Sequence, residues 1–125
     1  METVLMTALK QKKPVPGLAD LIATCPNINA TDEYGRTALF YARGEGQVKA
    51  LLEAGADATI RDKDGETVLF PLARRGEERG IFYALQGGAD SSIRNNEGFR
   101  AVDCLPKFAP NSPKGERMTD MLRPR

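Results

Sequence analysis

The sequence predicts an all-α repeat architecture: a solenoid of about four stacked helix–turn–helix units with projecting loops and divergent terminal units. Three observations carry this prediction. Thr-Asp-Glu-Tyr-Gly-Arg-Thr-Ala-Leu-Phe at 31–40 reappears as Arg-Asp-Lys-Asp-Gly-Glu-Thr-Val-Leu-Phe at 61–70, with Asp, Gly, Thr, Leu and Phe in register. Leu-Glu-Ala-Gly-Ala-Asp at 52–57 returns as Leu-Gln-Gly-Gly-Ala-Asp at 85–90, a period of 33. Gly35, Gly65 and Gly98 mark three starts, the third opening a weaker copy at Arg94-Asn-Asn-Glu-Gly-Phe-Arg-Ala-Val102. Periods of this size signal stacked supersecondary units that bury their apolar faces against one another. The 125 residues form one domain, 1–125, with units at about 1–30, 31–60, 61–93 and 94–125.

Each element has a local cause. Residues 3–25 form a divergent first unit with helices near 3–12 and 16–24, Pro14 and Pro16 bracketing the turn between them. Asp32-Glu-Tyr-Gly35 and Asp62-Lys-Asp-Gly65 are turn sequences, in which Asp bonds its own backbone and Gly accepts positive φ. They are expected at loop tips. Thr37 and Thr67 stand just before apolar helical segments, the place for an N-cap oxygen. Val48, Leu51 and Leu52, then Ile81, Ala84 and Leu85, recur at the three- and four-residue spacing of a buried helix face. Burying one such side chain is worth about 1.5–3 kcal/mol, so these stripes go to the core. Gly55 and Gly88 fall where a helix C-terminus needs a left-handed residue. The last unit is interrupted by Pro106, Pro110 and Pro113, predicting a long loop; Ser112-Pro113 then supplies an N-cap and first helical residue for a closing helix over 114–122. In all, helix pairs are expected at about 3–25, 37–54, 67–87 and 100–122.

The pattern Asp-x-x-Gly-x-Thr-x-Leu, two short helices and Gly-Ala-Asp resembles the ankyrin repeat, specifically across residues 27–93, where Asn27-Ile-Asn-Ala30 sits at the family's Asp-Val-Asn-Ala. The chain looks like a short stand-alone array of this family. It departs at the family's Thr-Pro-Leu-His, which reads Thr37-Ala-Leu-Phe40, Thr67-Val-Leu-Phe70 and Arg100-Ala-Val-Asp103. Phe40 and Phe70 are expected to replace the missing polar link with apolar packing. The first complete unit is also three residues short between Thr37 and Asp57, around Ala42-Arg-Gly-Glu-Gly46, so its inner helix must end early. Pro71 falls in the first turn of its helix, where one lost amide is tolerated.

Composition narrows the function. There is no histidine, which excludes Ser-His-Asp and Cys-His catalysis and histidine-containing zinc sites. Eighteen Lys+Arg against 17 Asp+Glu give a net charge of +1, without the basic bias of a nucleic-acid binder. Residues 31–93 carry 8 basic and 11 acidic groups, and 94–125 carry 7 and 4, which reads as solvation of a terminal segment. Cys25 and Cys104 lack CxxC spacing and are expected as buried small thiols. Gly44-Glu-Gly46 and Gly87-Gly88 read as a short turn and a helix C-cap, lacking the remainder of a phosphate loop. Asp62, Asp64 and Glu66 resemble a cation loop, but the closing glutamate is replaced by Ala73. No metal, cofactor or catalytic residue is expected. Neither a secretory signal nor a membrane span is legible, which gives a cytoplasmic expectation.

The resemblance implies binding through loop tips and the exposed inner-helix face. Carried onto this sequence, the first tip offers Glu33, Tyr34 and Arg36, the second Lys63, Asp64 and Glu66, and the third Asn96, Glu97 and Phe99. The inner helix of the second full unit adds Arg74 and Arg75, whose plainer reading is a solvated helix end. Aromatic and arginine side chains are favoured interface anchors. The expectation is a non-catalytic module, a monomer that binds a protein partner and neither nucleic acid nor membrane. Two alternatives stand beside it: an immunity or inhibitor protein that occludes a toxin or enzyme, and a structural homodimer joined through the C-terminal cap.

Overall fold

The computed structural model describes residues 3–11, 15–108 and 111–123 as eight helical segments and, among these residues, no strand. They pair as α1 (Val4–Lys10) with α2 (Leu18–Thr24), α3 (Ala38–Tyr41) with α4 (Gly44–Glu53), α5 (Leu69–Arg75) with α6 (Glu78–Gln86), and a 3-10 turn (Ala101–Cys104) with α7 (Pro113–Leu122). The outer helices stack in sequence, α2 on α4, α4 on α6 and α6 on α7. In the inner row α1 packs on α3, and α5 packs on the 3-10 turn. Loops project from the inner row at residues 32–36, 62–66 and 95–99, the three predicted tips.

One core runs through all four units. Val48, Leu51, Ile81 and Ala84 are fully buried, whereas Leu52 and Leu85 at the edges of the same stripes are half-buried. Phe40 and Phe70 are buried as expected, so apolar packing occupies the positions where the family carries histidine. The apolar residues of α2, Leu18, Leu21 and Ile22, are only half-buried because a terminal helix has a neighbouring unit on one side alone.

The outer helices of the two middle units end alike. Gly55 (φ 98°) and Gly88 (φ 101°) are left-handed, and the following amides of Ala56 and Ala89 donate 3.0 Å bonds back to Leu51 and Ala84. This six-residue closure satisfies carbonyls the helix itself leaves open. The closing helix begins as predicted, Ser112 accepting the N–H of Gly115 at 3.2 Å with Pro113 as first residue. The inner helix of the first full unit is a single turn, four residues against seven in the next unit, as its shortened sequence requires.

Several expectations are corrected. Thr37 does not cap α3 through its hydroxyl, which is buried without a partner among the described residues. Its carbonyl accepts the N–H of Phe40 at 3.1 Å instead, because one turn of helix closes through a three-residue bond. Thr67 repeats that carbonyl bond to Phe70, and its hydroxyl reaches only the Leu69 N–H at 3.4 Å, Val68 being the cap residue. Gly44-Glu-Gly46 is the first turn of α4 and not a separate turn. Cys25 and Cys104 are half-buried rather than buried. Pro14 and Pro110 lie outside the described residues.

Candidate partner-binding face

Each tip is built around one side-chain oxygen. Asp32 Oδ1 accepts the backbone N–H of Tyr34 and Arg36 (2.9 and 3.0 Å), Asp62 Oδ1 those of Asp64 and Glu66 (2.9 and 3.0 Å), and Asn95 Oδ1 those of Glu97 and Phe99 (both 3.0 Å). Successive tips are then tied together. The Lys63 N–H donates to the Tyr34 carbonyl and the Asn96 N–H to the Asp64 carbonyl, both at 2.9 Å, and Asn96 Nδ2 donates to the Lys63 carbonyl at 2.9 Å. Gly65 shows how close the approach is: a Cβ there would sit 2.6 Å from Asn96 Oδ1, and its φ is +78°. The tips therefore form a row of fixed geometry, held by backbone that any exposed side chain can decorate.

Beneath the tips runs a chain of charged contacts between units. Asp32 takes Lys10 Nζ at 3.2 Å and a short bond from the Tyr41 hydroxyl. Burial opposes ionisation of Asp32, but the Tyr41 hydroxyl, the two backbone amides and Lys10 outweigh it and hold the carboxyl below its usual range. Arg36 Nε donates to Asp62 Oδ2 at 3.0 Å. Glu66 is buried and receives Arg74 Nη1 at 2.8 Å and Asn95 Nδ2 at 2.9 Å. Burial raises the Glu66 pKa, yet Arg74 and Asn95 more than offset this and lower it. Arg75 Nη2 donates to the Ala42 carbonyl at 2.6 Å and Arg75 Nε to Glu77 Oε2 at 3.0 Å; Glu77 Oε1 in turn accepts the Gly44 N–H at 2.7 Å. Burial pushes the Cys104 thiol up, although Arg74 beside it pulls the other way, so this cysteine lacks the depressed pKa of a reactive thiolate.

The residues expected at the binding face divide on this geometry. Glu33, Tyr34, Lys63, Asp64, Asn96, Glu97 and Phe99 are exposed on the tip row. Tyr34 is 51% and Phe99 50% exposed, with the Arg36 guanidinium 5.3 Å from the Tyr34 ring centre. Glu66, expected on the tip surface, lies under it: its place after the turn brings it beneath Asn95 of the next unit. Arg36 and Arg75 are half-buried by their inter-unit bonds, and Arg74 is spoken for by Glu66. Arg74 and Arg75 both stand in the last turn of α5, Arg74 exposed while paired with Glu66 and Arg75 half-buried against the preceding unit. The Asp62 and Glu66 oxygens that suggest a cation loop are engaged by amides and arginines of the array.

Between the tips and the inner helices lies a cleft of about 250 Å³, lined by Arg36, Arg74 and Arg75 together with Phe40, Tyr41, Arg43, Asp62, Glu66 and Pro71. Sequence reading places no functional weight on Arg43. The signal that finds it is the three-residue shortening at 42–46, which ends α3 early and leaves Arg43 in the bend before α4.

The ankyrin repeat family profile matches residues 34–63, from the first tip to the second. Over these residues the chain matches one ankyrin repeat. An ankyrin repeat-containing protein of Schizosaccharomyces pombe is 39% identical over 82 residues, covering 62% of this chain and 38% of that protein. The ankyrin repeat domain of Bcl-3, a member of the IkappaB protein family, superposes with a TM-score of 0.76 over 97% of this chain and 51% of that one. Its 23% identity makes this a likeness of fold. The chain spans about half or less of the length of these relatives. Ankyrin repeats are in general protein–protein interaction modules, and such arrays are typically non-catalytic. Among the described residues no helix is long and apolar enough to cross a membrane.

Proposed function

We propose that this array binds a protein partner, without catalysis, through the row of tips and the cleft behind it. The observation that carries the reading is a contrast within the row. Its backbone and its Asp32, Asp62 and Asn95 side chains are committed to holding the array together, while Tyr34, Lys63 and Phe99 project from it. The Tyr34, Lys63 and Phe99 side chains make no hydrogen bond within the described array. Two half-exposed aromatics on a preorganised edge are of the type that dominates interface energetics, and rigid presentation lowers the ordering cost of binding. Glu33, Asp64 and Glu97 beside Lys63 give the tips mixed, mainly acidic charge, which favours a protein surface over a nucleic-acid duplex.

The test is a triple variant, Tyr34→Ala, Lys63→Ala and Phe99→Ala, compared with the unmodified protein for a partner recovered from the native cell. An unchanged melting curve is expected, with binding weakened about a hundred-fold or more if each side chain contributes at least ~1 kcal/mol. Undiminished binding would place the interface elsewhere.

A further inference from the structure

The cleft is lined by four arginines and two carboxylates, Asp62 and Glu66, and a third carboxylate, Glu77, engages Arg75 from outside the lining. Arg36 is taken by Asp62 at 3.0 Å, Arg74 by Glu66 at 2.8 Å, and Arg75 by Glu77 at 2.8 Å. One cation is left over. Arg43 lines the cleft and is half-buried, and its guanidinium has no hydrogen-bond, ion-pair or ring partner among the described residues.

The backbone on which Arg43 stands is fixed from three sides, so the root of this side chain is placed at the cleft. Its own N–H donates to Gln47 Oε1 at 2.7 Å. The residues before and after it are pinned to the next unit, Ala42 by Arg75 and Gly44 by Glu77. In the next unit the position 33 residues on is Gly76, so this side chain is not part of the repeating scaffold. Phe40 and Pro71 also line the cleft, and apolar walls strengthen a charge-assisted hydrogen bond by limiting water.

From the leftover cation in this partly apolar cleft we infer that Arg43 receives one carboxylate of the partner, an aspartate or glutamate side chain presented on its surface. This rests on the protein-binding reading and names the partner's chemistry at the same face. With Glu77 counted against Arg75, a single negative charge balances the cleft. A dianion such as a phosphoryl group would exceed the one uncommitted guanidinium by a full charge, because Arg36, Arg74 and Arg75 are already engaged by Asp62, Glu66 and Glu77. Planar, bidentate geometry also suits a guanidinium to a carboxylate.

The experiment follows the arginine Nε–H resonances of the protein by NMR during titration with acetyl-Gly-Ser-Glu-Ser-Gly-amide, with the same peptide carrying Gln for Glu, and with inorganic phosphate. A saturable shift of the Arg43 Nε–H is expected with the Glu peptide, about ten-fold weaker binding with the Gln peptide, and loss of the neighbouring Arg75 shift in Arg43→Gln. Equal responses to the two peptides, a response spread evenly over exposed Arg79 and Arg123, or tighter binding of phosphate than of the Glu peptide would each overturn it. With the partner protein, Arg43→Gln is expected to weaken binding about ten-fold. Partner binding untouched by Arg43→Gln but lost in the tip triple variant overturns the cleft assignment and leaves the tip row standing. Partner binding kept by the triple variant, with the Arg43 shift intact, removes the tip row alone.

Discussion

The two middle units start from ten-residue stretches that share Asp, Gly, Thr, Leu and Phe in register, and they diverge within the following turn. Their tips superpose in chemistry: Asp32 and Asp62 make the same pair of backbone bonds, and Gly35 and Gly65 have φ of +75° and +78°. Their inner helices differ, one turn ending at Tyr41 against two turns ending at Arg75. The tip repeats because neighbouring tips must hydrogen-bond to each other, whereas the inner helix ends where a cleft opens and its length is free to vary. The three-residue shortening there puts Arg43 where the next unit has Gly76.

Changes at matched positions sharpen this contrast. The largest difference is expected between Gly65→Ala and Gly35→Ala. Both place a side chain in the left-handed region, at a cost of about 1–2 kcal/mol. At Gly65 the new Cβ also meets Asn96 Oδ1 at 2.6 Å, whereas at Gly35 the nearest atom, the Lys63 amide nitrogen, is 3.2 Å away. Urea unfolding should show the Gly65 variant less stable by about a further 1–2 kcal/mol, the scale of overpacking in a rigid site. Equal losses would mean that the second tip relaxes as easily as the first.

Next comes the buried carboxylate that only the second unit possesses. Glu66 has a lowered pKa in the folded state, so its stabilisation is complete above the ordinary glutamate value of 4.5 and is lost as the pH falls through the lower folded value. Asp32, also lowered from 3.8, adds a loss at more acid pH. Melting temperature should therefore fall from pH 6 to pH 3, and Glu66→Gln should flatten the upper part of that fall. Because Arg74 is half-exposed, the variant's loss at pH 7 is expected to be about 1–2 kcal/mol, below that of a fully buried pair. Parallel pH profiles for the two proteins would show that the Arg74–Glu66–Asn95 link is not coupled to folding.

The smallest effect separates the two threonines. Thr37→Val replaces a buried hydroxyl without a partner and should leave stability unchanged or slightly raised, while Thr67→Val gives up a long 3.4 Å bond and should cost about 0.5 kcal/mol. Thermal melts of the pair, read side by side, test this order. A clear loss at Thr37 would restore the N-cap role that its place in the sequence suggests.

Much of the fold was legible because repeat arrays are held by short-range patterns. The period located the units, the leucine stripes located the outer helices, and Gly55, Gly88 and Ser112-Pro113 located their ends. The exposed aromatics Tyr34 and Phe99 were legible too, being large where a turn asks for nothing large. Glu66, Arg74, Arg75 and Arg43 were not. Whether a charged side chain is free or engaged depends on groups about a unit away in the chain, such as Asn95 against Glu66 and Ala42 against Arg75.

The stack and the row of tips thus follow from the sequence alone, because turn, stripe and cap are each specified within a few residues. The sequence also told that histidine's place was taken by Phe40 and Phe70. Which charges hold the array and which are left unengaged within it depends on how the units pack in three dimensions. Lys10–Asp32 and Arg36–Asp62 join successive units while Arg74–Glu66 closes within one, and a guanidinium left unpaired is recognised only when every neighbour around it has been placed.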